Sequence, residues 1–155
     1  MKKIICFLLV LNVISVIATN VFALTDAEYN KLIGYLGKKV PNGFEMFDVN
    51  TYIYYSGYDS RDIYMYKLFT NDKGVVREAQ IIYLVLNDGN IMNKRVSAIK
   101  KLQSLGYTFV KQVSDIAFFE SKKYIASLQE LAPRVEDGIR VESLNVAIFH
   151  RPAER

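Results

Sequence analysis

Residues 79–86 read Ala79-Gln80-Ile81-Ile82-Tyr83-Leu84-Val85-Leu86, an almost unbroken apolar run that ends at the turn signal Asn87-Asp88-Gly89-Asn90. The run is too short to cross a membrane and too continuous for a strand with one face in water. It therefore predicts a central β-strand that is covered on both sides. We expect a helix to supply part of that cover.

The residues after this turn predict the covering helix. Apolar residues recur there at intervals of three and four, at Met92, Val96, Ile99, Leu102 and Leu105. Basic residues fall between them, which is typical of an amphipathic helix that packs one stripe on a sheet. We interpret these basic residues as a solvated outer face, namely Lys94, Arg95, Lys100 and Lys101. Gly106 follows the last apolar position, as glycine commonly does where a helix ends.

The first 23 residues have the layout of a secretory signal peptide. Two lysines precede an apolar stretch, and Val21-Phe22-Ala23 places small residues three before and one before a cleavage point. This pattern predicts export and cleavage after Ala23, so that residues 24–155 form the mature domain. The alternative is an uncleaved anchor, against which Asn12 and Ser15 count because they interrupt the apolar stretch.

Cleavage would change the chemistry that is open to the chain. It removes Cys6, the only cysteine, so the mature domain has no disulfide, thiolate metal site or cysteine nucleophile. Loss of Lys2 and Lys3 also lowers the formal net charge from +4 to +2. The electrostatic argument for nucleic acid binding is therefore weak, and we expect no nucleic acid partner. Contact with a membrane is expected only through the signal peptide.

The mature chain predicts one α+β domain. Thr25 and Glu28 form a capping-box pattern that opens a first helix near Asp26, and Gly37 is placed to end it. An antiparallel meander of three strands follows and ends in the central strand; its first two members are residues 51–55 and 63–69.

Further strands are predicted after the second helix. Residues 107–113 and 116–119 read as a hairpin, and residues 139–149 read as a closing strand whose apolar parity changes near Ser143, where we expect a bulge or break. Between them, Ser121 is placed to cap a helix with inward residues Tyr124, Ile125, Leu128 and Leu131. Together these elements predict one mixed or antiparallel sheet with helices packed on it.

Few residues in this chain fit the usual catalytic arrangements. The only histidine is His150, so a His-rich metal site or a Ser-His-Asp triad has little to draw on, and we predict neither a metal nor a cofactor. Paired loop carboxylates keep a sugar or wall hydrolase open as an alternative, through Asp59 or Asp62. Catalysis is the less favoured interpretation.

A tyrosine-rich hairpin is the strongest candidate for a binding surface. On the first two strands of the meander, tyrosines share one face, while isoleucine, methionine and phenylalanine share the other face and suit a core. Tyrosine rings can hold a sugar or peptide, although the same rings can serve as cross-strand packing or lie under the first helix. The candidate ligand-binding residues are Tyr52, Tyr54, Tyr58, Asp59, Arg61, Tyr64 and Tyr66.

These observations predict a small exported binding domain, periplasmic or extracellular, with a protein or carbohydrate partner in the cell envelope. The alternatives are a small envelope hydrolase and a structural subunit of an envelope complex. A hydrolase should show a concave pocket in which carboxylates converge, whereas a binding domain should show an open aromatic face or an unpaired strand edge.

Overall fold

The computed structural model describes residues 23–56, 63–86 and 91–152. Within these ranges the chain forms two helices and one antiparallel sheet of eight strands, in the order β1-β2-β3-β4-β8-β7-β6-β5. The elements are α1 (Asp26–Tyr35), β1 (Glu45–Asp48), β2 (Thr51–Ser56), β3 (Ile63–Thr70), β4 (Val76–Leu86), α2 (Ile91–Ser104), β5 (Thr108–Val113), β6 (Ile116–Glu120), β7 (Tyr124–Glu136) and β8 (Ile139–His150). The α+β class is confirmed.

Helix α1 begins and ends where the sequence indicates. The Thr25 side chain accepts a hydrogen bond from the Glu28 amide, and the Glu28 carboxylate accepts one from the Thr25 amide at 2.7 Å. This reciprocal pair satisfies two amides that a helix start leaves without intrahelical partners. After the helix, Gly37 takes the left-handed conformation, with φ of 75°.

Both helices pack on the same face of the sheet. Leu32 of α1 and Leu102 of α2 are fully buried, and they share one hydrophobic cluster with Ile81 of β4 and Val146 of β8. Strands β4 and β8 lie at the centre of the strand order, so the core sits over the middle of the sheet. The predicted meander is confirmed, because β2, β3 and β4 are consecutive neighbours.

The face that α2 turns toward the sheet differs from the predicted stripe. Met92 and Val96 are 54% and 42% exposed, whereas Lys94, Ala98 and Leu102 are buried. The helix is therefore rotated so that a lysine lies on its inner side, with its Nζ 5.5 Å from the centre of the Tyr83 ring. The assignment of Lys94 to the solvated face was wrong, because an aliphatic stem and a tyrosine ring can accommodate a lysine at the edge of a core.

The helix predicted after Ser121 is wrong, since these residues form strand β7. The strand pairs with β6 on one side and with β8 on the other. The Ser121 hydroxyl does accept a hydrogen bond from the Tyr124 amide at 3.2 Å, as an N-cap would. The Ser121 amide, however, donates to the Tyr124 carbonyl at 2.8 Å and closes the β6–β7 hairpin. The local capping signal is therefore used in a hairpin.

The irregularity expected at Ser143 lies on the neighbouring strand. Strand β8 pairs with β4 without a register shift from Phe149 to Val141. The shift occurs in the β7–β8 pairing between Leu131 and Arg134, where Pro133 lacks an amide for the ladder. The apolar residues before and after Ser143 therefore lie on opposite faces of one continuous strand.

The sequence predicts that β4 is covered on both sides. Within the described residues, the strand is covered on one side only. The buried hydrophobic residues outside the strands belong to the cluster on the helix face. Ile82, which points to the opposite face, is 8% exposed and lies outside that cluster. We refer to this opposite surface, formed by the alternate residues of β2, β3, β4, β8, β7 and β6, as the bare face.

Candidate functional site

The tyrosine side of the β2–β3 hairpin is the side that faces the helices. Tyr66 is 2% exposed and contacts the Tyr35 ring of α1 edge-to-face, with ring centres 6.1 Å apart. Tyr52 and Tyr64 are partly buried and pack against the core. Burial raises the pKa of the Tyr66 phenol above its ordinary range, so its hydroxyl stays protonated. The isoleucine, methionine and phenylalanine side, expected to be the core side, lies on the bare face.

Among the described tyrosines on this side of the hairpin, Tyr54 is the most exposed, with 37% of its surface accessible to solvent. Its ring is tilted against the Phe44 ring, with centres 5.5 Å apart, and against the Tyr66 ring at 6.5 Å. The Lys31 Nζ of α1 lies 5.3 Å from the centre of the Tyr54 ring and 4.3 Å from that of Tyr66. We call Lys31, Phe44 and Tyr54 the Tyr54 platform.

The platform combines three properties that a recognition surface uses. Tyr54 offers a flat apolar ring with a hydroxyl, and its position is fixed by aromatic neighbours on two sides. Lys31 supplies a positive charge at the same place, held over the rings by cation–π attraction. A ligand with an apolar ring face and an acidic group would match both features.

Three of the candidate binding residues, Tyr58, Asp59 and Arg61, lie outside the described residues, as does the candidate catalytic residue Asp62. Glu45 and Asp48, the two acidic residues of β1, are exposed.

Strand β1 adds an exposed apolar edge next to the hairpin. Met46 and Phe47 are 70% and 68% exposed, and Val49, just after the strand, is 81% exposed. The strand is the first in the sheet order and pairs within the described residues only with β2. An exposed edge of this kind can accept an added strand from a partner.

A buried hydrogen-bond relay at the start of α1 was not predicted from the sequence. The Leu24 amide donates to the Tyr83 hydroxyl at 2.6 Å, and that hydroxyl donates to the Glu28 carboxylate at 3.1 Å. Leu24 is fully buried and Ala23 is 2% exposed. Burial, reinforced by the charge of Glu28, raises the pKa of the Tyr83 phenol well above its ordinary range. The capping box at Thr25 was the only sequence signal near this relay.

A cavity of about 670 Å³ lies beside this relay, between the start of α1 and helix α2. Its wall is formed by Ala23 and Leu24 with Val96, and Ser97 donates to the Ala23 carbonyl at 3.4 Å. Lys101 on the rim forms an ion pair with Asp26 at 2.5 Å. The cavity therefore has an apolar wall and a polar rim whose nearest carboxylate is already paired.

The described residues contain no group of three or more histidine, cysteine or acidic side chains that could hold a metal ion. His150 is exposed at the end of β8, where its ring lies 5.3 Å from that of Tyr124. Over the same part of the chain, neither helix has the length and apolarity that a membrane span requires.

No protein-family model matches this chain, and searches of curated proteins and of solved structures find no similar protein.

Proposed function

We propose that the protein is an exported binding domain that contacts a carbohydrate or protein of the cell envelope through the Tyr54 platform. The observation that carries this proposal is the exposure of Tyr54 beside Lys31, on rings that the core holds in place. Because those neighbours already restrict the ring, little conformational entropy would be lost on binding.

Lys31 favours a ligand that carries an acidic group. Its ammonium lies over two aromatic rings at the surface of α1, where an incoming carboxylate can approach it. A sugar acid would place its ring face on Tyr54 and its carboxylate near Lys31, and an acidic peptide would place an aromatic or aliphatic side chain there. Both belong to the chemistry found in cell envelopes.

Substitution of Tyr54 by alanine is expected to weaken binding about tenfold, which corresponds to about 1.4 kcal/mol. The reason is loss of the stacking surface while the supporting rings remain. Uronic-acid oligosaccharides and acidic peptides can be titrated into the protein, with tyrosine fluorescence as the readout, since the chain has no tryptophan. Lys31→Gln should weaken the same interaction and reduce its dependence on salt.

Tyr55→Ala is the matched control, because Tyr55 is 50% exposed and points to the opposite side of the same strand. Equal loss of binding in Tyr54→Ala and Tyr55→Ala would count against the platform. So would unchanged binding in Tyr54→Ala when the protein is folded.

Export is tested by identifying the N-terminal residue of the processed protein. Expression of the full chain in a bacterial host should yield an envelope-located product whose mass corresponds to residues 24–155. The proposal rests on the basic and apolar residues before Ala23 and on the small residues at positions 21 and 23. A product that retains Met1 in the membrane fraction would contradict it.

A further inference from the structure

The backbone of Leu24 has a conformation that is unusual for a bulky residue. Its φ is 60°, in the left-handed region, and its side chain is fully buried. Among the described residues, the other non-glycine positions with positive φ are Asn50, Ser114 and Asp137, whose short polar side chains tolerate it better. Strained backbone of this kind persists only where the surrounding structure holds it, and it concentrates at functional positions.

The strain at Leu24 depends on the peptide bond that the proposed cleavage removes. In the left-handed region, the carbonyl group of the preceding residue, Ala23, crowds the Cβ of Leu24. Hydrolysis adds the hydroxyl of water to this carbonyl carbon and a hydrogen to the Leu24 nitrogen, and the resulting amine takes up a proton from solvent at neutral pH. A chain that begins at Leu24 therefore keeps its buried side chain in place without a carbonyl that crowds it.

The nitrogen that cleavage would free already lies next to an anion. It donates to the Tyr83 hydroxyl at 2.6 Å, and this hydroxyl donates to the Glu28 carboxylate at 3.1 Å. The same carboxylate oxygen accepts from the Thr25 amide at 2.7 Å and from the Thr25 hydroxyl at 2.9 Å. All of these donors are neutral, and within the described part of the chain Glu28 forms no ion pair. In contrast, Asp26 of the same helical turn is paired with Lys101.

The cavity beside the relay provides room for the new terminus. Ala23 and Leu24 both line it, so loss of Ala23 opens the Leu24 nitrogen to the cavity. The ammonium hydrogens that do not face Tyr83 can then bind water, which a buried charged group requires. The Ser97 hydroxyl, which now contacts the Ala23 backbone, lies on the same wall and can hold such a water molecule.

We propose that Tyr83 and Glu28 form a binding site for the α-ammonium group that cleavage creates at Leu24. This inference rests on the cleavage proposed above and adds what the new terminus does in the finished fold. A strained peptide is replaced by an ion pair that one hydroxyl bridges, and hydrogen bonds of this charged kind are the strong ones. The processed chain is therefore more stable than a chain that retains Ala23.

The rate of acetylation of the α-amino group tests this site. The protein processed from the full chain is treated with acetic anhydride at pH 7, and peptide mapping by mass spectrometry follows the modification of Leu24. Only the unprotonated amine reacts, and a neighbouring carboxylate favours the protonated form. Glu28→Gln keeps the size of the side chain but removes its charge, and it should raise the acetylation rate at least about tenfold.

Asp26→Asn is the matched control, because it removes a carboxylate of the same helical turn that is already paired with Lys101. It should change the acetylation rate by less than about twofold. Circular dichroism checks that each variant is folded. Equal rates in the wild type and Glu28→Gln would overturn the site while the cleavage proposal stands. A product that does not begin at Leu24 would overturn both.

Stability provides a second measurement of the same site. Cyanate at mildly acidic pH, applied to the unfolded protein, converts the α-amino group to a neutral carbamoyl group in preference to lysine side chains. After refolding, this modification should lower the folding equilibrium constant of the wild type about tenfold more than that of Glu28→Gln, as in a double-mutant cycle. An equal loss in both proteins would show that the added group only disturbs packing, and it would overturn the ion pair.

Discussion

Tyr83→Phe is expected to lower the free energy of unfolding by about 2 to 3 kcal/mol, because the buried Leu24 nitrogen loses its hydrogen-bond partner and the Glu28 carboxylate loses one of its donors. The Tyr83 hydroxyl accepts from the Leu24 amide and donates to Glu28, and the ring itself is 2% exposed. Phenylalanine keeps the packing of the ring but satisfies neither group. The effect should be measured by urea denaturation followed by far-ultraviolet circular dichroism.

Tyr55→Phe removes the same atom from a tyrosine that is 50% exposed, where water can replace it, and should change the free energy of unfolding by less than about 0.5 kcal/mol. Glu28→Gln should fall between these variants, because the amide still accepts from Tyr83 but carries no charge for the capping box. Equal stability of Tyr83→Phe and Tyr55→Phe would show that the relay contributes nothing to folding.

Tyr66→Ala is expected to be the most destabilising change in the hairpin, with a loss of about 3 to 5 kcal/mol, as for other large aromatic residues in a core. Tyr66 is 2% exposed and contacts the rings of Tyr35, Tyr54 and Tyr64. Its removal leaves a cavity under α1 that those rings can fill only in part. Thermal and urea unfolding both provide the measurement.

Tyr54→Ala separates packing from binding on the same strand pair. The residue is 37% exposed, so its loss should cost about 1 kcal/mol of stability while it weakens ligand binding. If Tyr54→Ala destabilised the protein as strongly as Tyr66→Ala, both rings would belong to the core. That result would show that the Tyr54 platform is not a recognition surface.

Local sequence signals predicted much of the fold. The capping box of α1 and the glycine that follows the helix depend only on residues adjacent in sequence, and both are found. The central run at residues 79–86 indicated a buried strand from composition alone, and β4 occupies the middle of the sheet. These features depend little on distant parts of the chain.

The element that sequence could not identify is β7, because its stability comes from two neighbours. Ala126 and Leu128 alternate toward the core, but Tyr124, Ile125, Leu128 and Leu131 also fit a helical stripe. Hydrogen bonds to β6 and β8 on both edges decide between the two. Such long-range pairing overrides local propensity and leaves no mark in a single sequence.

The hairpin was placed correctly as an element, but its faces were assigned in reverse. Ile53, Met65 and Phe69 look like core residues by hydrophobicity, whereas Tyr66 carries a polar group. Which side is covered depends on where α1 docks, and the α1 residue Tyr35 meets Tyr66. The Tyr54 platform could not be foreseen for the same reason, because Lys31 comes from a different element.

The burial of Ala23 and Leu24 sets an order of events for an exported chain. A peptidase needs an extended, accessible backbone, yet the bond between these two residues is enclosed once α1 and α2 have closed over it. If the proposed cleavage after Ala23 takes place, it has to precede the packing of this segment. A precursor that folded too early would shield its own scissile bond and persist at full length, so slow folding before translocation would protect the yield of finished protein.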